Sequence, residues 1–124
     1  MSERHLLIVA HGSRRQASND EVRALGDRVR AMRDPHIDQV EVAFLELAEP
    51  SIPDGLALCA AGGAREIIVF PYFLAAGTHV ASDIPEALAV FREHHPDIRV
   101  RLASHLGASL SLAKTILDVA SERG

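Results

Sequence analysis

The first apolar run of the chain is followed directly by a histidine, a glycine and a serine, and the whole stretch reads Leu6-Leu7-Ile8-Val9-Ala10-His11-Gly12-Ser13. Five consecutive apolar residues are typical of a strand that is covered on both faces, as in the middle of a parallel sheet. The run stops at a histidine, a glycine and a serine, which favour a loop. This stretch therefore predicts a central parallel strand with polar groups at its carboxyl end.

The rest of the chain repeats the same unit of strand and helix three more times. Further strands are predicted at 40–46, 66–73 and 98–102, with Pro71 marking the point where the third strand leaves the sheet. Helical spacing is found at 17–32, 51–61, 82–93 and 110–121. The last of these helices is expected to bury its apolar positions, which are Leu112, Ile116, Leu117, Val119 and Ala120.

Alternating strands and helices predict an α/β fold with a parallel sheet and helices on both faces. We expect one domain over residues 1–124, a length that buries a core without disulfides or a structural metal. A flavodoxin-like strand order of 2-1-3-4 would make the first and third strands neighbours. Ligands of such sheets bind beyond the carboxyl ends of the strands, where the order reverses.

The composition of the chain argues against several classes of function. The formal net charge is −4, which gives no general attraction to nucleic acid or to an anionic membrane. Aromatic residues make up 4% of the chain, too few for a base-stacking surface. The single cysteine, Cys59, excludes an intrachain disulfide and favours a reducing, cytoplasmic setting. The first apolar run is too short for a signal peptide or a membrane span.

Four ionisable residues follow the four predicted strands, and they are His11, Glu46, His79 and His105. In the 2-1-3-4 order, His11 and His79 would converge across the crevice with Glu46 beside His11. Two imidazoles and a carboxylate can bind a divalent transition ion, and they include bases that titrate near neutral pH. Each residue also has a plainer interpretation: a histidine bonding to loop backbone, or an exposed glutamate ending an edge strand.

The loop after the first strand also carries two cations, Arg14 and Arg15, next to Ser13. With the amide groups at the start of the following helix they would favour an anion. They are equally well interpreted as two solvated arginines. No glycine-rich phosphate loop of the Walker or dinucleotide type is present in the sequence, so no nucleotide cofactor is expected.

The motifs at the strand ends resemble the CbiX/SirB family of sirohydrochlorin chelatases. The resemblance extends from Leu6 to about Leu112. Five sequence segments carry it, in this order: Ala10-His11-Gly12-Ser13-Arg14, the segment from Ala43 to Ser51, the segment from Phe70 to Leu74, the segment from Gly77 to Pro85, and His105-Leu106-Gly107. Each string by itself is a weak signal. Their order, and their position after successive strands, make the resemblance specific.

The resemblance implies a chelatase-like fold and insertion of cobalt, iron or nickel into a sirohydrochlorin-type tetrapyrrole without nucleotide hydrolysis. It implies that His11 and His79 bind the metal and that His11, His79 and Glu46 are the catalytic residues, any of which could accept the substrate's protons. The substrate's carboxylates would meet Ser13, Arg14, Arg15 and helix N-termini. Its flat ring would need an apolar cleft, which Phe73, Leu74, Val80 and Ile84 could line. Short members of this family are expected to form homodimers. The histidine-rich segment that some of them carry near the C-terminus is missing from this sequence.

The main alternative is a non-enzymatic, flavodoxin-like module that binds a metal or an anion as a carrier or regulator. A phospho-receiver is disfavoured because the first strand ends in Ala10-His11 rather than in paired acids. A histidine phosphatase would place an arginine before the histidine, where this chain has Ala10. The same ligands suit cobalt, iron and nickel, so the sequence does not separate these metals.

Overall fold

A computed structural model describes residues 3–122, apart from the side chains of His79 and Val80. Over this range the chain forms a four-stranded sheet of order β2-β1-β3-β4 in which all neighbours are parallel. The strands are β1 (Arg4–Ala10), β2 (Gln39–Phe44), β3 (Glu66–Pro71) and β4 (Arg99–Leu102). The predicted fold class and strand order are confirmed. The third strand ends at Pro71, where it was predicted to leave the sheet, and does not extend to Phe73.

The helices of the described range are α1 (Gln16–Ala31), α2 (Ile52–Ala61), α3 (Ile84–His94) and α4 (Leu112–Ala120). Ser51 begins α2 as predicted, because its hydroxyl accepts a hydrogen bond of 3.2 Å from the amide of Asp54. A π-helical turn, His79–Asp83, leads into α3, and a 3₁₀ turn, Leu106–Ala108, precedes α4. No helix within residues 3–122 has the length and apolar character needed to span a membrane.

Side chains alternate between two apolar clusters on the two faces of the sheet. Leu7, Val9 and Val69 point towards α2 and α3, where Leu56, Cys59 and Leu88 are also buried; this surface is the α2/α3 face. Ile8, Val42 and Phe44 lie in the other cluster, on the α1 face, against Val22 and Val29 of α1. Burial on both faces explains why β1 is a continuous apolar run.

The prediction for α4 is wrong in one respect. The helix forms, but Ile116, Leu117, Val119 and Ala120 are exposed, and Leu112 is half-buried. The reason is that α4 packs against the 3₁₀ turn before it and is not laid onto the sheet of its own chain. Helical periodicity identifies an apolar stripe correctly, but it does not say what covers that stripe.

Candidate functional site

The carboxyl ends of β1 and β2 bring His11 and Glu46 together. Beyond the last paired residues, the amide of Leu45 donates to the carbonyl of Ala10 at 2.9 Å, and the amide of Glu46 donates to the carbonyl of His11 at 3.2 Å. The backbone pairing therefore continues past the strands and keeps Glu46 beside His11. The Nε2 atom of His11 lies 3.5 Å from Oε1 of Glu46, and both side chains are about half exposed. An imidazole and a carboxylate thus share one solvent-accessible position.

Gly12 makes this close approach possible. Its φ is +94°, which L side chains rarely adopt, and a Cβ atom built on it would lie 1.8 Å from the carbonyl oxygen of Glu46. The loops after β1 and β2 therefore touch through backbone atoms at this glycine. We expect the distance between His11 and Glu46 to depend on that contact.

A buried asparagine holds the rest of the first loop. The side chain of Asn19 accepts a hydrogen bond from the amide of Ser13 at 2.9 Å and donates to its carbonyl at 2.8 Å. Asn19 is 3% exposed, so these bonds satisfy a polar group inside the fold. Sequence reasoning missed this residue, because a single asparagine in an amphipathic helix has no pattern that marks it as buried.

The other predicted residues of the first loop point outward. Arg14 and Arg15 are exposed, and the amide of Arg15 donates to the hydroxyl of Ser13 at 3.0 Å. Both guanidinium groups are accessible to an anionic ligand, next to the start of α1. Their role in binding carboxylates stays a prediction.

Two hydrogen bonds to backbone carbonyls close the second loop into a short, fixed shape. The amide of Phe44 donates to the carbonyl of Pro50 at 2.9 Å, and Arg23 of α1 donates to the carbonyl of Glu49 at 2.8 Å. Leu47 has a φ of +63°. Glu46 therefore projects from a loop that is tied both to its own strand and to α1.

Phe73 and Leu74 lie in the loop after β3 and contact the loop after β4. The ring of Phe73 meets the His11 ring edge-on, with 6.3 Å between centroids. Its carbonyl accepts from the amide of Gly107 at 2.9 Å, and a Cβ on Gly107 would lie 1.7 Å from the carbonyl oxygen of Leu74. Leu74 is 72% exposed. The aromatic ring of Phe73 thus lies beside His11, and the binding of a substrate ring by Phe73 and Leu74 stays a prediction. Ile84, predicted for the same apolar cleft, is instead fully buried in the core against α2 and the sheet, so this part of the prediction is wrong.

The remaining predicted residues have different outcomes. His105 follows β4 and is half-buried at the same edge of the sheet. His79 begins the π-helical turn, but its imidazole lies outside the described residues, so the predicted pairing of His11 with His79 stays a prediction. Within the described residues no cluster of three or more His, Cys, Asp or Glu side chains forms a metal site.

Asp83 is a candidate that sequence reasoning treated as the beginning of a helix. It ends the π-helical turn and, with Glu46 and Ser51, lines a cavity of about 240 Å³ between the second loop and α3. An aspartate before a helix is normally interpreted as a cap. The cavity that places it near Glu46 exists only in the tertiary structure.

Known proteins resemble this chain in sequence and in fold. A family model described as CbiX matches residues 5–123. The sirohydrochlorin cobaltochelatase of Methanopyrus kandleri is 31% identical, over 91% of this chain and 92% of its own length. The chloroplastic sirohydrochlorin ferrochelatase of Arabidopsis thaliana is 36% identical over 95% of this chain, which spans 50% of that relative's length. The sirohydrochlorin chelatase SirB of Bacillus subtilis subspecies spizizenii, solved in complex with cobalt, superimposes with a TM-score of 0.84 and 31% identity, over 94% of this chain and 49% of SirB.

Proposed function

The chain belongs to the CbiX family, and from this premise we propose that it is a chelatase acting on sirohydrochlorin or a related tetrapyrrole. It inserts a divalent metal, cobalt or iron, without a nucleotide cofactor, in cobalamin or siroheme biosynthesis. The metal is a substrate. The names of the relatives supply the substrate class and the two metals. The observation that carries the proposal is the half-exposed pair of His11 and Glu46 at the carboxyl edge of the sheet.

Metal insertion sets requirements for the residues of this site. The tetrapyrrole loses two N–H protons while one divalent ion enters, so the site must hold the ion, release it and accept protons. Imidazole nitrogen binds first-row divalent ions without the strong retention of thiolate ligands. His11 and His79 are the proposed metal ligands. Glu46, 3.5 Å from His11, is the proposed proton acceptor: it takes the two protons one at a time and passes each to solvent, to which its side chain is about half exposed.

The surroundings of the pair suit an acidic, flat substrate. Arg14 and Arg15 are exposed beside the site and are the proposed partners of the tetrapyrrole carboxylates, together with Ser13. Phe73 and Leu74 provide the apolar surface for the ring. Leu74 is 72% exposed, and its apolar side chain would be buried when a macrocycle covers it.

Several wider statements belong to the same proposal. Residues 1–124 act as one chelatase-like domain, since every described strand lies in a single sheet. The protein is a homodimer, and nickel is an alternative metal. The location is cytoplasmic, which the free, buried Cys59 supports. Neither nucleic acid nor a membrane is a partner, which agrees with the net charge of −4.

An anaerobic insertion assay with sirohydrochlorin and each of cobalt, iron and nickel tests the proposal. We expect His11→Ala and His79→Ala to lose most insertion activity, and Glu46→Gln to lower turnover while retaining much of the metal affinity. His36→Ala is the matched control, because His36 is exposed in the turn before β2, at the opposite edge of the sheet. Cobalt binding without faster insertion would instead support a carrier. Full activity of His79→Ala would refute the proposed ligand pair.

A further inference from the structure

The two loops that carry His11 and Glu46 are both tied to the same side of α1. Asn19 binds the backbone of the first loop, and Arg23, four residues further along the helix, donates to the carbonyl of Glu49 in the second loop. Residues four apart lie above one another on a helix. One turn of α1 therefore holds both of the loops that meet at the site.

The helix that carries these ties is seated closely on β2. Gly26 lies one turn beyond Arg23 on the same side of α1 and is buried. A Cβ atom built on Gly26 would lie 2.6 Å from Cγ2 of Val42, so even an added methyl group would force a shift. Arg23 is therefore presented from a helix that is firmly packed on the strand leading to Glu46.

Three contacts fix the guanidinium group of Arg23. Its Nη1 atom lies 3.1 Å from Oδ1 of Asp20, its Nη2 atom donates to the carbonyl of Glu49 at 2.8 Å, and its Cζ atom lies 5.0 Å from the centre of the Phe44 ring. Phe44 is fully buried at the end of β2, so the cation lies over a part of the core. An arginine held in this way is an oriented donor and not a freely moving side chain.

The second loop needs such a tie beside Glu46. The next residue, Leu47, has a φ of +63°, a backbone conformation that is strained for a leucine. Strained conformations persist only where the surrounding structure holds them. Leu47 is 54% exposed, so packing of its own side chain does little to hold it. The hydrogen bond from Arg23 to the carbonyl of Glu49 supplies a tie from outside the loop.

We propose that Arg23 is a positioning residue of the chelatase site. By holding the carbonyl of Glu49, it fixes the loop that carries Glu46. The carboxylate of Glu46 thereby stays 3.5 Å from Nε2 of His11. A proton acceptor works only within hydrogen-bond reach of its donor, so a small movement of this loop lowers the rate without changing which groups react. The inference rests on the proposed function and adds to it a residue that acts through Glu46 alone.

Direct binding of a substrate carboxylate is the rival role for Arg23, whose side chain is 37% exposed. Both of its terminal nitrogens already have partners in the protein, which are Asp20 and the carbonyl of Glu49. A carboxylate would compete with these bonds. The two roles also predict different kinetics: loss of a substrate contact raises KM at unchanged kcat, whereas loss of positioning lowers kcat.

Arg23→Met is the test variant, because methionine keeps an apolar side chain over Phe44 and removes the donors. Arg30→Met is its matched control. Arg30 also belongs to α1, pairs with Asp27 three residues before it, and donates to the carbonyl of Val40 near the start of β2. Each variant loses an ion pair within the helix and a bond to a backbone carbonyl, but only Arg23 lies at the edge of the sheet that carries the site.

Steady-state insertion of cobalt into sirohydrochlorin by the full chain is the first measurement. We expect Arg23→Met to lower kcat by about 10- to 100-fold with little change in KM. Arg23→Lys, which keeps one charged donor, should have a higher kcat than Arg23→Met, and Arg30→Met should keep the parent kcat. In a Glu46→Gln background, Arg23→Met should cost no more than about 2-fold, because the residue through which it acts is already changed.

Two kinetic outcomes would overturn the proposal. A raised KM at unchanged kcat for Arg23→Met would assign Arg23 to substrate binding. An equal fall in kcat for Arg30→Met would show that a weaker α1 is enough to slow insertion, wherever the bond is lost.

Amide hydrogen exchange, followed by NMR on the full chain without metal or tetrapyrrole, tests the loop independently of activity. The amide of Glu46 donates to the carbonyl of His11. It should exchange at least about 10-fold faster in Arg23→Met than in Arg30→Met, because a charged hydrogen bond that closes the loop is lost. Equal exchange in the two variants would overturn the proposal whatever the kinetics. Faster exchange together with a Glu46→Gln variant that inserts metal at the parent rate would refute Glu46 as the proton acceptor, and not the fixing of its loop by Arg23.

Discussion

Replacing Gly12 with alanine perturbs the backbone contact that sets His11 beside Glu46. The new Cβ would lie 1.8 Å from the carbonyl oxygen of Glu46, whereas a carbon and a carbonyl oxygen in contact are about 3.3 Å apart. The two loops must therefore separate by about 1.5 Å. This separation would stretch the hydrogen bond from the amide of Glu46 to the carbonyl of His11.

The cost has two parts. Alanine at a φ of +94° is strained by about 1–2 kcal/mol, and forcing an added carbon into a packed contact costs about 1–3 kcal/mol. We expect the free energy of unfolding to fall by about 2–5 kcal/mol, which most domains of this size survive. A displacement of about 1 Å in a catalytic arrangement lowers the rate by about 100-fold. We therefore expect the rate of metal insertion to fall by about 100-fold.

Gly63 provides a matched control at the opposite edge of the sheet. Its φ is +89°, but an added Cβ would meet the flexible carboxylate of Glu3 at 3.2 Å and no backbone atom within 4 Å. Gly63→Ala should lose about 1–2 kcal/mol from backbone strain and keep its insertion rate. Urea unfolding measures the first quantity, and anaerobic insertion measures the second. If Gly12→Ala inserts metal as fast as Gly63→Ala, the contact between the loops does not position the site, and the reasoning is refuted.

Three further predictions concern the framework on which the site is built. Burial raises the pKa of Cys59 to about 12, and the charge of Glu41 adds to the shift. As the pH rises, the thiol ionises first in the unfolded chain, so the free energy of unfolding should be at its full value below pH 9 and fall by up to about 1.4 kcal/mol per pH unit above it. Urea unfolding at several pH values measures this fall, which a Cys59→Ala variant should not show. Leu56→Ala should lower the free energy of unfolding by about 2–5 kcal/mol because Leu56 is fully buried. Leu58 is 52% exposed, so an equal loss for Leu58→Ala would contradict the assignment of the core. Ser51→Ala should cost about 1 kcal/mol by removing the cap of α2, and a change below the error of chemical denaturation would mean that the cap bond contributes nothing.

The pairing of His11 with Glu46 was predictable because it needs little more than strand order. When two neighbouring parallel strands end, the residues that follow them emerge at the same edge. The apolar runs identified the strands, and polar residues identified their ends. Periodicity of two or 3.6 residues is a local property of the chain, so the sequence alone determines which segments are strands and helices and which edge of the sheet carries chemistry.

Tertiary structure decided the features that depend on contacts between distant segments. Asn19 is buried because the first loop folds back over α1, and Gly12 is required because the backbone of Glu46 lies against it. Asp83 shares a cavity with Glu46 because α3 packs beside the second loop. The exposed stripe of α4 shows the limit most directly: its sequence dictates an amphipathic helix, but which surface covers that helix is set by the direction in which the chain leaves the sheet.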